Sequence, residues 1–447
     1  MVSHYGILSL LPTALVLVMA IATRKVIEPL AAGVVVGFLL LDGVGFIGGL
    51  VDGTYAVFQG ATLGMIVAVT LLFGIFVQLL EKSHAASAFS DAVGQRVKSA
   101  RASLFAAWIV GIILFIDDFL NAIVVGTTMR KTTDKYGVPR EMLAYIADVT
   151  AGPMAVLLPF SAWAVFFMSM FTELGLPETT GQSAFNMYWR TIPFVFYAIA
   201  AILLVPLVIW GIVPPLGPMK RACQAAAAAP AEESAPDPAA GGKARPWHFL
   251  VPILVLVAGT FALNADVVQG TILALIVTVI LFRAQGLLSK EEIRACVSQG
   301  IINMISVTGI IFFALLLVEG NVRLGTTEYI LEIAMPLVSR QLLPVITFGI
   351  VCLLSFTTGS FFGTAAIVMP IIVPMALNSG CNIYLVLGAT ISGAVFGSHC
   401  CFFGDATVLA STSCEISPIQ HALTQLPYGL LSCAAAAVLY TVFGFVL

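Results

Sequence analysis

Long apolar runs, separated by short polar clusters, dominate the chain. A helix that crosses about 30 Å of hydrocarbon needs about 20 apolar residues. Segments 5–22, 28–46, 62–81, 190–211, 247–264, 268–283, 301–319 and 427–446 fit that length and are predicted to span a bilayer. Two further stretches, 102–171 and 342–413, are apolar but interrupted. Only 213–246 has the composition of a solvated segment, with PPLGP, the alanines Ala225 to Ala229 and AEESAPDPAAGG. Such a stretch buries no core and is predicted to be a flexible linker.

Basic residues orient the spans, because loops on the cytoplasmic side carry the excess of Lys and Arg. They cluster at Arg24 and Lys25, at Lys82 to Arg101, at Arg130 to Arg140, at Lys220 to Arg245 and at Arg283 to Arg294. With every cluster inside, segment 102–131 must enter and leave on one side, as a re-entrant hairpin. Segment 141–171 then crosses as a broken helix, 190–211 returns, and the linker is cytoplasmic. The second half, 247–447, repeats this order upside down, with a hairpin at 342–378, a broken helix at 383–413 and a last span at 427–446. The stretches 82–101 and 320–340 match as surface segments. The predicted fold is an all-α polytopic membrane protein of two inverted repeats, 1–212 and 247–447, with about ten spans and two hairpins. The first run, MVSHYGILSLL, has no basic residue ahead of it and is expected to be a retained helix rather than a signal.

Composition narrows the class. The chain is 60% hydrophobic and only 10% charged, with a net charge of −3. Soluble domains carry roughly 25% charged residues, so a soluble enzyme is excluded. A nucleic-acid partner is excluded too, since no basic stripe is present. The long unbroken apolar runs argue against an outer-membrane barrel, whose strands alternate. The eight cysteines lie mostly within apolar runs and show neither a disulfide framework nor a zinc spacing.

The interruptions hold the candidate chemistry, because charge at membrane depth is costly unless it faces a site. The first hairpin, LFIDDFLNAIVVGTTMR, places Asp117, Asp118 and Asn121 at its tip. Two adjacent carboxylates there suit Na⁺, which takes hard oxygen ligands, or a proton acceptor. Asp and Asn also cap turns and helices. The first broken helix, AYIADVTAGPMAVLLPFSAWAV, is expected to unwind at Thr150-Ala151-Gly152-Pro153, with Asp148 before the break and Ser161 and Trp163 after it. Trp163 either lines a pocket or packs at an interface. The second hairpin turns at SFTTGSFFGTAAIVMP, where Thr357, Thr358, Ser360 and Thr364 offer hydroxyls and the glycines offer bare backbone. The second broken helix, SGAVFGSHCCFFGDATVLAST, carries Ser398, His399, Asp405 and Thr407. His399 is read as the only histidine at membrane depth, with a coupling or substrate role or a purely hydrogen-bonded one. Cys400 and Cys401 are read as packing residues. No Lys or Arg stands at any tip, which favours a cation or a zwitterion over a bare anion.

At these motifs the chain resembles the NhaC family of Na⁺/H⁺ antiporters, over almost its whole length. The resemblance rests on FIDDFLN (115–121), GTTMRKTTDKYGVPREMLAYIADVTAGP (126–153), PFSAW (159–163), GSFFGT (359–364), GAVFGSHC (393–400) and TQLPY (424–428). It implies a scaffold domain, a mobile transport domain built from the hairpins and broken helices, and a homodimer with elevator-like motion. It also implies a place in the bacterial inner membrane. Two departures stand out. The family has an acidic residue where this chain has Ser398. It often has Ser-Trp at Phe361-Phe362, and small polar residues at Cys401-Phe402-Phe403. Relatives in the family include malate/lactate exchangers and suspected amino-acid carriers.

The resulting expectation is a secondary transporter without a bound cofactor, with Na⁺ or H⁺ as coupling ions. Asp117, Asp118 and Asn121 would hold Na⁺. Asp148, Thr150 and Asp405 would join them in cation or proton binding. Trp163, Thr358, Ser360, Thr364, Ser398, His399 and Thr407 would face the substrate. An ion-coupled carrier of a small organic acid or amino acid is the alternative. An intramembrane enzyme built on His399, Cys400 and Asp405 fits the inverted symmetry and the diacidic hairpin poorly.

Overall fold

A computed structural model describes residues 5–23, 25, 27–59, 61–228, 243–263, 267–326, 329, 332, 339–358, 361–402 and 404–447. Among the described residues every regular element is a helix. The first half comprises α1 (Leu11–Thr23), α2 (Ile27–Asp42), α3 (Phe46–Gln59), α4 (Ala61–Lys82), α5 (Ala85–Gly94), α6 (Ala100–Ile113), α7 (Asp118–Lys135), α8 (Arg140–Ala155), α9 (Ala162–Glu173), α10 (Leu176–Thr180), α11 (Ala184–Thr191) and α12 (Phe196–Trp210). Helix α13 (Gly217–Ala228) follows. The second half comprises α14 (Pro246–Ala262), α15 (Val267–Ala284), α16 (Lys290–Leu324), α17 (Leu343–Thr358), α18 (Phe361–Ser379), α19 (Ile383–Cys400), α20 (Asp405–Ser413) and α21 (Pro418–Val446).

By length and composition, four stretches among the described residues can cross a membrane: Ile27–Gln59, α18, α19 and α21. The pair Ala184–Phe194 and Phe196–Trp210, bent by 52°, makes a fifth. Several elements differ in extent from the sequence expectation. Helix α16 runs unbroken for 35 residues, well beyond 301–319 at its start. Its N-terminus is fixed by reciprocal bonds: the Ser289 hydroxyl accepts from the Glu292 N–H, and the Glu292 carboxylate accepts from the Ser289 N–H. Those bonds hold the Glu292 carboxyl below its ordinary range. Helix α21 begins at Pro418, nine residues before the predicted 427. Part of the presumed linker, Gly217–Ala228, is helical, as its alanines favour.

The first broken helix breaks later than expected. Helix α8 continues through the Thr150–Pro153 tetrad and ends at Ala155. Pro153 lacks the N–H that would bond the Val149 carbonyl, so α8 gives up one bond near its end and still runs on to Ala155. Pro159 is the effective stop, since it disfavours the helical region at Leu158. The gap 156–161 then separates α8 from α9. In the second half, α19 ends at Cys400 and α20 starts at Asp405.

Helices α8 and α19 lie at the centre. Every residue from Met142 to Pro153 is buried, as is every residue from Leu385 to Cys400. Helix α8 packs on α6, α7 and α12 of its own half and on α19, α20 and α21 of the other. A smaller apolar cluster joins α1, α2, α16 and α18 through Val16, Leu30, Phe38, Leu316 and Ile367.

Close approach at the centre depends on missing side chains. A Cβ on Gly111 of α6 would stand 2.0 Å from the Thr150 hydroxyl of α8. That hydroxyl is already bonded to the Ile146 carbonyl at 2.8 Å, so it cannot easily turn away. Gly111→Ala should therefore cost about 1–3 kcal/mol by overpacking. The expected result is a lower melting temperature in detergent; an unchanged one would show that α6 and α8 can slide apart.

Candidate functional site

Helices α6 and α7 form an antiparallel pair with Asp117 and Asp118 at the bend. Asp117 is the N-cap of α7, and its carboxylate accepts from the Leu120 N–H at 2.8 Å. Asp118 is the first helical residue. Both lie at the positive end of the helix dipole, which offsets part of their mutual repulsion. Both are nearly buried, at 4% and 5% exposure. The indole N–H of Trp163 donates to Asp118 Oδ1 at 3.0 Å.

Trp163 is held by the break in the first half. The Ser161 hydroxyl donates to the Ala155 carbonyl at 2.6 Å and accepts from the Ala164 N–H at 3.0 Å. One side chain thus caps the end of α8 and the start of α9. The Ala162 N–H also donates to the Ile116 carbonyl at 3.4 Å, tying α9 to the hairpin bend. The Trp163 ring lies 3.7 Å from that of Phe361 and 5.8 Å from that of Phe362, centroid to centroid. Trp163 therefore both packs, as one sequence reading held, and presents its polar edge to Asp118. The aromatic departures at the start of α18 sit against it.

Asn121 acts as a brace. Its amide donates to the Gly111 carbonyl and to the Thr150 carbonyl, each at 2.7 Å. The Thr150 hydroxyl approaches its Oδ1 at 3.4 Å. Asn121 and Thr150 thus lock α6, α7 and α8 together behind the two carboxylates.

Asp148 belongs to a different group. Two residues apart on a helix point to nearly opposite faces, so Thr150 meets the hairpin while Asp148 meets α21. Asp148 is wholly buried, and its Oδ2 accepts from Gln425 Nε2 at 2.8 Å and faces His421 Nε2 at 3.0 Å. Gln425 Nε2 also donates to the His399 carbonyl. His399 Nδ1 meets the Tyr197 hydroxyl at 2.6 Å. A continuous polar chain thus runs Asp148, Gln425, His399, Tyr197, through both halves. Asp148 Oδ1, His421 Nδ1, Gln425 Oε1 and His399 Nε2 are buried without a hydrogen-bond partner among the described residues.

Thr407 reaches this group weakly, its hydroxyl 3.5 Å from the His399 carbonyl. Thr364 and Ser398 are buried nearby in sequence, on α18 and α19. Ser360 lies outside the described residues, as do the side chains of Thr358 and Asp405. His399 is not the sole interior histidine: His421 is also fully buried. Sequence reasoning missed His421, Gln425 and Tyr197. The usable signal was the i, i+4 spacing of His421 and Gln425, which puts both on one helix face.

Ion pairs join the halves at one end of these helices. Glu415 receives Arg130 at 3.0 Å and Arg140 at 2.9 Å, and Arg140 also meets Asp134 at 3.0 Å. Arg130 donates further to the Ser413 carbonyl at 3.0 Å.

The arrangement supplies paired carboxylates at a helix start and a buried acid–imidazole pair. The model of the Na⁺/H⁺ antiporter family matches residues 154–445. The chain belongs to the Na⁺/H⁺ antiporter family. The resemblance read from the motifs is borne out at that level, and with the apolar helices it makes the chain a multi-pass membrane transporter. An uncharacterized protein of Haemophilus influenzae is 31% identical over 98% of the chain and 91% of its own length. A malate-2H⁺/Na⁺-lactate antiporter of Bacillus subtilis is 24% identical over 35% of the chain and 34% of its own length. The fold is similar to that of the Alcanivorax borkumensis YdaH transporter, with a TM-score of 0.67 at 17% identity over 90% of both chains. It is equally similar to that of Neisseria gonorrhoeae MtrF, described as an antimetabolite efflux pump, with a TM-score of 0.67 at 18% identity over 91% of this chain and 86% of that one.

Trp163→Phe keeps a ring against Phe361 and deletes the donor to Asp118. A hydrogen bond to a charged group is worth about 1.5–3 kcal/mol, so the variant should unfold at a lower temperature in detergent than the parent. An unchanged melting temperature would make Trp163 a packing residue alone.

Proposed function

We propose that the chain is an NhaC-type secondary antiporter that exchanges Na⁺ for H⁺ across the bacterial inner membrane. The observation that carries this reading is the near-buried pair Asp117 and Asp118 at the start of α7, with Trp163 donating to the second. Two such carboxylates in a low dielectric bind either a cation or a proton, and the two exclude one another. Asn121 and Thr150 set the spacing of the bend. Asp148 with His421 forms the companion protonation site. Competition between Na⁺ and H⁺ then couples the two flows.

The elevator motion follows from the same reading. The Arg130–Glu415–Arg140 pairs and the Asp148–Gln425 bond support a unit in which both hairpins and both broken helices move together. The inverted repeats, the homodimer and the cytoplasmic position of 213–246 belong to this proposal.

A second reading, an ion-coupled carrier of a small organic acid, is favoured by the aromatic wall of Trp163, Phe361 and Phe362 beside Asp118. The partial match to a malate/lactate antiporter points the same way. Purified protein in sealed liposomes with a trapped pH dye decides between them. Proton movement driven by a Na⁺ gradient alone supports the antiporter. A response that appears only when a carboxylate or amino acid is added supports the carrier, and silence under every gradient refutes both.

A further inference from the structure

Away from the transport site, a groove of about 410 Å³ opens between the start of α14 and the end of α15. Its lining is Lys243, Ala244, Arg245, Trp247, His248 and Gln285, two cations and no acid. Lys243 reaches across it: its Nζ lies 3.9 Å from where a Cβ on Gly286 would stand. At the floor, His248 is 2% exposed. The Arg245 N–H donates to His248 Nδ1 at 2.8 Å, so the neutral ring carries its proton on Nε2. That Nε2 is buried and has no acceptor among the described residues. A buried donor without an acceptor is costly, and the histidine that carries it lines a groove with two positive side chains. An anion with oxygen acceptors complements that lining.

The depth of the groove narrows the ligand. Helices α14 and α15 are apolar and pack on each other, and their polar ends meet here, with Trp247 half-exposed beside them. Tryptophan next to Lys and Arg at the end of an apolar helix marks the membrane–water boundary. Phosphate is the anion found at that level, and basic pockets there take acidic headgroups. We infer that this groove binds a phosphate group, carried either by an acidic phospholipid of the surrounding leaflet or by a soluble phosphate.

Native mass spectrometry of the full chain in detergent, titrated with phosphatidylglycerol, phosphatidylcholine or inorganic phosphate, tests this. Phosphatidylglycerol should be retained in preference to phosphatidylcholine. Lys243→Gln/Arg245→Gln, at two exposed positions, should keep the parent melting temperature and weaken phosphatidylglycerol binding roughly ten- to thirtyfold. Displacement of the lipid by millimolar phosphate assigns the soluble source; resistance to it assigns the lipid. Equal retention of the two lipids, or undiminished binding by the double variant, overturns the inference.

Discussion

Asp118→Asn should reduce Na⁺-driven proton movement by about a hundredfold, the equivalent of about 3 kcal/mol. Asparagine keeps the side-chain volume and an oxygen that can still accept from the Trp163 N–H. What it loses is the charge. At 5% exposure, water contributes little to holding a bare cation, so the carboxylate must supply that interaction. Asp117 is less suited to do so alone, because one of its oxygens caps α7 through the Leu120 N–H. The check is the rate of dye response in liposomes under a fixed Na⁺ gradient, on protein shown to be monodisperse with the parent melting temperature. A normal rate in such protein would remove Asp118 from the cation site. Asp117→Asn should be the milder exchange defect, and Asp117→Ala the larger stability defect, because alanine removes the cap of α7.

The second large effect is expected on stability rather than rate. His421→Ala leaves the buried Asp148 carboxylate with Gln425 alone, and stripping one partner from a buried pair costs about 3–5 kcal/mol. Asp148→Asn in the same chain removes the charge that was stranded. The double variant should therefore regain much of the loss, because deleting both partners of a buried bond is milder than deleting one. Denaturant or thermal unfolding of the four proteins in one detergent gives the coupling between the two sites. A double variant as unstable as the sum of the singles would mean that Asp148 and His421 do not meet. Either single variant should also alter the pH dependence of exchange, which a simple packing role would leave unmoved.

Much of this was legible in the chain. The first hairpin bend falls at Asp117 and Asp118 because the acids interrupt an apolar run and cap the helix that follows, both local effects. Local rules placed the break in the first broken helix too early, since Gly152 and Pro153 look like a stop. In the folded chain, α8 is buried on every side and runs past them to Ala155. His421 was hidden because the last span was expected to start at 427, beyond it. Only packing against α8 reveals that the helix starts at Pro418 and that the face carrying His421 and Gln425 is interior. Partnership between residues 273 positions apart leaves no periodic trace along a single sequence.

That separation also shapes how the protein is made. Asp148 leaves the ribosome 273 residues ahead of His421. At roughly 5–20 residues per second, the first half waits tens of seconds, already synthesised, before its counterpart exists. During that interval an acid destined for a dry interior has neither of its two final partners. The first half is thus an unfinished object rather than a small protein awaiting a second one.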